Sequence, residues 1–259
     1  MNGFEYEKVK DRVVFKILDM ELNGEKLEEL LYDEVGNGFA MTFAIILEND
    51  KKQVCVADVT REMAEAYGYD VKELRKKAEY NMFWLFPAIL RKLDGEEIGF
   101  DPDETDRESQ ENEDEIYVLT NGVVRLGASC LYYPAVCELA ANRLNSSFYV
   151  LPTSTYEHMI LPDRGGYEPA GLEEMLREVN DGEIRKEDIL SDKVLYYNRV
   201  TKKLYRPLNQ EREEKQREVI SMQKEQKTES RNNKEAMRRR LNSYKEKMEE
   251  KKHVKQRRI

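Results

Sequence analysis

Cysteine is scarce in this chain: there are three, Cys55, Cys130 and Cys137, in 259 residues. An odd and sparse set fits no disulfide framework. Histidine is scarcer still. There are two, His158 and His253, and neither C-x-x-C nor H-x-x-x-H occurs, so the common transition-metal spacings are missing. Long apolar runs are also lacking. The longest, GFAMTFAIIL, has about ten residues, which suits a buried strand and is too short to span a bilayer. MNGFEYEKVKDR is charged from its start and has no apolar stretch of the secretory kind. These absences read as a reducing, cytoplasmic protein with no membrane partner. Phosphate cradles are missing too, because G-N-G at 36–38 and D-R-G-G-Y at 163–167 extend to neither a P-loop nor a dinucleotide fingerprint. No cofactor is indicated.

Charge is what the chain has in excess. Charged residues make up 37% and apolar residues 40%, so a core is possible only if part of the chain is solvated. The formal net charge of -9 is unevenly spread. Residues 231–259 hold twelve Lys/Arg against four Glu, a surplus of eight, which leaves -17 for everything before them. Residues 94–115 hold twelve Asp/Glu and one Arg, with no apolar period, and read as a solvated acidic loop. D-P-D-E-T-D there lacks the glycine and closing glutamate of a calcium loop.

Elements alternate up to about residue 205. DRVVFKILDM, GFAMTFAIILEN, KKQVCVADVT and EIYVLTN read as strands, and GEKLEELL as a short helix. REMAEAYGY begins behind Thr60, and DVKELRKKAEYNMFWLF behind Asp70 with Glu73 three residues on, both plausible helix starts. AILRKL, after Pro87, reads as a further turn of helix. LYYPAVCELAANRL reads as a helix with Pro134 in its first turn. GLEEMLREVN reads as a helix and KVLYYNRVTKKLY as a closing strand or a hairpin around Thr201. The expectation is an α+β domain over 1–205, built on a mixed sheet with hairpins and packed helices. Residues 206–259 follow as a charged tail, helical or disordered, with Met237, Leu241, Tyr244 and Met248 as a short heptad-like stripe.

SSFYVLPTSTYEHMILPD, 146–163, is the most site-like stretch, with hydroxyls, a carboxylate and a histidine between apolar runs. It reads as two strands around a polar bend. An enzymatic alternative is a hydrolase centred on Cys130, Ser129, Glu157 and His158. Cys130 would lie before a helix start, where backbone amides favour a thiolate, and His158 would serve as its base. Glu157 would be an acid or base. Against it, Cys130 is flanked by Ala128, Ser129 and Leu131 and has the setting of a small buried residue. Cys130 and Cys137 are seven apart, too far to share an ion. The tail is the stronger feature. Arg238, Arg239, Arg240, Lys245, Lys247, Lys251, Lys252, Lys255, Arg257 and Arg258 can neutralise phosphates or seat a protein partner. The leading reading is a non-enzymatic binding module for a protein or nucleic acid.

The ordered segments EYEKVKDRVVFKILDMELN, VTREMAEAYGYDVKELRKKAEYN and YVLTNGVVRLGASCLYYPAVCELAANRLNSSFYVLPTSTYEHMILP, then LREVN and EDILSDKVLYYNR, carry a likeness. Together they resemble domain-of-unknown-function family 5688, a bacterial family, over residues 5 to about 205. LGAS-x-LYYP and SSFYVLP-x-S are the specific parts. The resemblance implies no activity and transfers no site residue. Members have a further segment before the part like EYEKVKDR, so this chain looks like a short version. They place histidine where this sequence has Tyr156 and an apolar residue where it has His158, which counts against a histidine mechanism. The element order is also similar to another family without assigned activity, number 1444. Basic Glu/Lys-rich tails of this kind are common on proteins of integrative mobile elements in anaerobic Gram-positive bacteria, which suggests a genomic neighbourhood.

Overall fold

Twelve residues from Phe39 to Asp50 form the longest strand, and both of its edges are paired. The computed structural model describes residues 4–50, 53–100, 115–122, 126–182 and 184–208. In chain order these give α1 (Tyr6–Val9), β1 (Val13–Asp19), α2 (Gly24–Glu29), β2 (Tyr32–Gly36), β3 (Phe39–Asp50) and β4 (Gln53–Asp58). Then follow α3 (Arg61–Tyr67), α4 (Val71–Leu85), β5 (Ala88–Lys92), β6 (Tyr117–Asn121), a 3-10 turn at Gly127–Tyr132 and α5 (Val136–Arg143). β7 (Phe148–Ser154), β8 (Glu157–Pro162), α6 (Pro169–Gly182), β9 (Leu195–Asn198) and β10 (Lys203–Tyr205) complete the series.

The fold is α+β. In place of one mixed sheet there are two, and every named strand pair in them is antiparallel. In the first, β3 takes β1 along one edge, from Val13 opposite Ile45 to Asp19 opposite Phe39. Its other edge takes β2 near its start and β4 beyond Ala44. The second sheet runs β10-β9-β7-β8-β6-β5. β3 is buried on both faces at least through Ile46, which is why its sequence is a continuous apolar run instead of an alternating one.

Helix boundaries follow their caps. Thr60 accepts from the Met63 amide at 3.1 Å, and Asp70 from Lys72 and Glu73, both at 3.0 Å. Gly68 ends α3 in the left-handed conformation, at φ 66. Two expected helices are corrected. Residues after Pro87 do not resume the helix. Ala88–Lys92 pair with β6 as the edge strand of the second sheet, because the proline ends the helical ladder and β6 offers an edge to pair with. The helix expected from Leu131 begins only at Val136, behind Ala135 in a left-handed turn, and the residues before Pro134 form the 3-10 turn instead. β2 is an element the sequence reading did not contain. The acidic stretch is described only at its two ends, 94–100 and 115, and residues 209–259 of the tail lie outside the described residues.

The main core joins the sheets. Phe15, Phe39 and Phe43 of the first cluster with Leu119, Phe148 and Ile160 of the second, each such side chain contributing roughly 1.5–3 kcal/mol by burial. α4 lays Leu74, Ala78 and Met82 on the first sheet. α6 lays Leu172 and Leu176 against Tyr149, Leu151 and Leu161 of the second.

Candidate functional site

The polar bend at 146–163 is a hairpin, β7 to β8, with a register shift between Leu151 and Ser154. Ser154 closes the bend by accepting the Tyr156 amide at 3.2 Å. The bend is pinned from two sides. The Thr155 amide donates to the Asp188 carbonyl at 2.8 Å, and the Thr120 hydroxyl to the Tyr156 carbonyl at 2.8 Å. Gly127 lies against the same carbonyl so closely that a Cβ there would come within 1.7 Å of it. This contact excludes any side chain at 127 and fixes the 3-10 turn against the bend.

The turn places the candidate nucleophile, and places it inward. Cys130 is buried, and its thiol lies 3.1 Å from the Thr120 carbonyl. Burial pushes it up to about 12, so it is a neutral thiol at physiological pH. It sits within the 3-10 turn and not at the start of a helix. His158 is also buried. Its Nε2 is 2.7 Å from the Ala128 carbonyl; since a carbonyl only accepts, that nitrogen carries the proton. Desolvation lowers the imidazole from 6.5 to about 4, and its Nδ1 is buried without a partner. The Ser129 hydroxyl donates to the Phe15 carbonyl at 3.0 Å. Glu157 lies across from Arg91 at 3.3 Å, part-exposed, next to His158 in the strand and so on the opposite face of β8. The fold thus brings Cys130 and His158 to one turn, each on its own backbone carbonyl, and sends Glu157 elsewhere. Among the described residues, no group of three His, Cys, Asp or Glu could hold a metal ion, and no helix is long and apolar enough to cross a membrane. The basic candidates from Arg238 to Arg258 lie outside the described residues.

Two open surfaces were not singled out from the sequence. One is a cleft of about 600 Å³ between the sheets. It is bordered by Lys16–Leu18 of β1, Val54–Val56 of β4, Asn23 and Lys26 at α2, Leu126 and Ser129 of the turn, the Thr155–Tyr156 bend, and Arg185 with the 187–190 stretch. Of the four enzymatic candidates only Ser129 borders it. The other surface is the outer face of α4. Tyr80, Phe83 and Trp84 are 60%, 50% and 66% exposed. Phe83 meets Trp84 edge-on at 5.3 Å, and the Lys77 ammonium lies 5.4 Å from the Tyr80 ring centre. In the sequence, MFWLF looks like core. The signal that separates it is the buried stripe Leu74, Ala78, Met82, one helical turn apart, from which Tyr80, Phe83 and Trp84 fall away.

No curated protein and no solved structure matches the chain. A family model does, over residues 2–199, the span that holds both sheets through the end of β9. The chain belongs to the family of unknown function DUF5688.

Proposed function

We propose that this chain is a non-enzymatic binding module whose folded body docks a protein partner on the outer face of α4. The observation that carries the reading is the exposure, side by side, of Tyr80, Phe83 and Trp84. Large aromatic side chains grouped in water are costly unless covered, and Trp and Tyr are the residues that dominate protein interfaces once they are. Lys72 and Lys76 are exposed on the same face, about two turns and one turn before Tyr80 respectively, with no ion-pair partner among the described residues. A partner segment that is apolar and acidic complements that pattern. The body itself disfavours a polyanion, since the chain before residue 231 carries -17. The hydrolase alternative requires a thiolate and a base in a common pocket. The sealed Cys130 thiol and the committed His158 imidazole support the binding reading over it. The proposed setting is a bacterial cytoplasm, beside a mobile element, and rests on the sparse cysteines and the tail's composition.

The test is affinity capture from the native cell extract, with and without nuclease, using the full chain and its Phe83→Ser/Trp84→Ser variant. Both positions are exposed, so the variant retains the wild-type circular dichroism spectrum. The expected result is a protein recovered despite nuclease and lost with the variant. Recovery of nucleic acid alone would move recognition to the basic residues 238–258 and overturn the α4 assignment. Equal recovery by both chains would overturn it as well.

A further inference from the structure

Ten arginines fall among the described residues, and four of them, Arg75, Arg91, Arg177 and Arg185, sit in ion pairs with carboxylates. Three of the other six, Arg143, Arg164 and Arg199, have no ion-pair partner among the described residues and meet at one corner of the second sheet. The strand register brings them there. Phe148, at the start of β7, lies opposite Pro162 of β8 on one side and Tyr197 of β9 on the other. Arg164 follows the end of β8 and Arg199 the end of β9, so the two flank the chain just before β7. That chain is the end of α5, Arg143, and the residues after it. The Arg164 guanidinium donates to the Leu144 carbonyl at 3.1 Å, and the Arg199 guanidinium to the Asn145 side-chain oxygen at 2.6 Å. Arg143 itself donates to the Ile98 carbonyl at 2.9 Å. Neighbouring Cα atoms are about 3.8 Å apart, so all three side chains are anchored on or beside one short stretch. Arg143 and Arg164 also act on one hydroxyl: burial raises that of Tyr117, and both arginines pull it back down.

Capping of α5 does not account for so much charge. A helix C-terminus carries about half a negative charge, and each arginine spends on its anchor one of five N–H groups. Asp163 is the carboxylate beside them, and it is engaged by the Tyr196 hydroxyl at 2.7 Å and the Gly165 amide at 3.1 Å. Three guanidinium groups against Asp163 and the end of α5 leave roughly +1.5. Guanidinium forks fit phosphate oxygens two at a time. The chain before residue 231 carries -17, which repels a polyanion from the body as a whole and leaves the corner to a small anion. We propose that this corner binds the phosphate group of a small molecule, clasped by Arg143, Arg164 and Arg199. The site shares no residue with the α4 face and does not depend on a protein partner.

Phenylglyoxal modifies accessible arginines, and mass spectrometry of the resulting peptides gives a rate for each one. On the full chain under native conditions, inorganic phosphate, phenyl phosphate and acetate are titrated in at constant ionic strength. The expected result is saturable slowing at Arg143, Arg164 and Arg199, about tenfold once phosphate reaches about ten times its dissociation constant. Arg177 and Arg185 should keep their rates, and acetate should have no effect. Tighter protection by phenyl phosphate than by inorganic phosphate identifies an ester as the ligand, and protection no tighter identifies free phosphate. Arg164→Gln, at an exposed position, removes the protection of Arg143 and Arg199, whereas Arg177→Gln leaves it. Equal slowing by acetate, slowing that extends to Arg177 and Arg185, no slowing by either phosphate, or protection that survives Arg164→Gln overturns the proposal. So does resistance of Arg164 and Arg199 before any phosphate is added, since the corner would then be filled by the chain's own carboxylates.

Discussion

Asn81 shows how much a single buried amide holds in this fold. It sits on the inner face of α4 and donates to the Lys10 and Val13 carbonyls, both at 2.8 Å. Asn81→Ala leaves both acceptors without that donor beneath a packed helix. It is expected to cost about 2–3 kcal/mol, read as a lower urea midpoint at unchanged slope. His158 makes the fold sensitive to acid. The folded chain holds the imidazole neutral down to about 4, while the unfolded chain takes up a proton near the ordinary 6.5. Stability is therefore intact above pH 6.5 and is lost as the pH falls from there towards 4, by up to about 3 kcal/mol. His158→Gln keeps a donor for the Ala128 carbonyl and removes that titration. The difference in unfolding free energy between wild type and variant should change across pH 4–6.5 and be flat above it.

At the scale of elements, the turn at 127–132 is the part least tolerant of change. Gly127→Ala drives a methyl group into the Tyr156 carbonyl and is expected to cost about 3 kcal/mol or more. Gly24→Ala, at the open start of α2, is the control and should stabilise by about 0.5 kcal/mol; thermal melts compare the two. Asp70→Ala removes the cap of α4 and should cost about 1 kcal/mol. Elements such as these were legible in the sequence where a local rule governs them. Thr60 and Asp70 announced helix starts by capping chemistry, G-N-G announced the β2–β3 turn, and the run from Phe39 announced a strand buried on both faces. The misreadings have a common cause. Ala88–Lys92 and the residues before Val136 take their form from what they pair with or rest against, and that partner lies far along the chain. The same holds for the sites. Cys130 and His158 could be named as a reactive pair, but their enclosure depends on the Thr120 and Ala128 carbonyls. The cleft joins Lys16 to Arg185 across 169 positions of sequence, which no local pattern reveals.

Over the whole folded body the two sheets are one thermodynamic object. Their inner faces share a cluster that includes Phe15, Phe43, Phe148 and Ile160. Buried Asp19 of β1 accepts the Ser191 hydroxyl at 2.5 Å, from a residue 172 positions away. Amide exchange should therefore give β3 and β7 the same opening free energy, since neither sheet keeps its core without the other. A lower value for one sheet alone would show that they open separately.

The strand order also sets a timetable for synthesis. The first sheet is complete once Asp58 has left the ribosome, whereas the cluster that covers Phe15 and Phe43 needs Phe148, and the second sheet closes only with β9 and β10. At about 5–20 residues per second, the ninety residues between Asp58 and Phe148 take roughly 5–20 s. During that interval the nascent chain carries a paired sheet whose aromatic face is bare, a surface suited to a ribosome-associated chaperone.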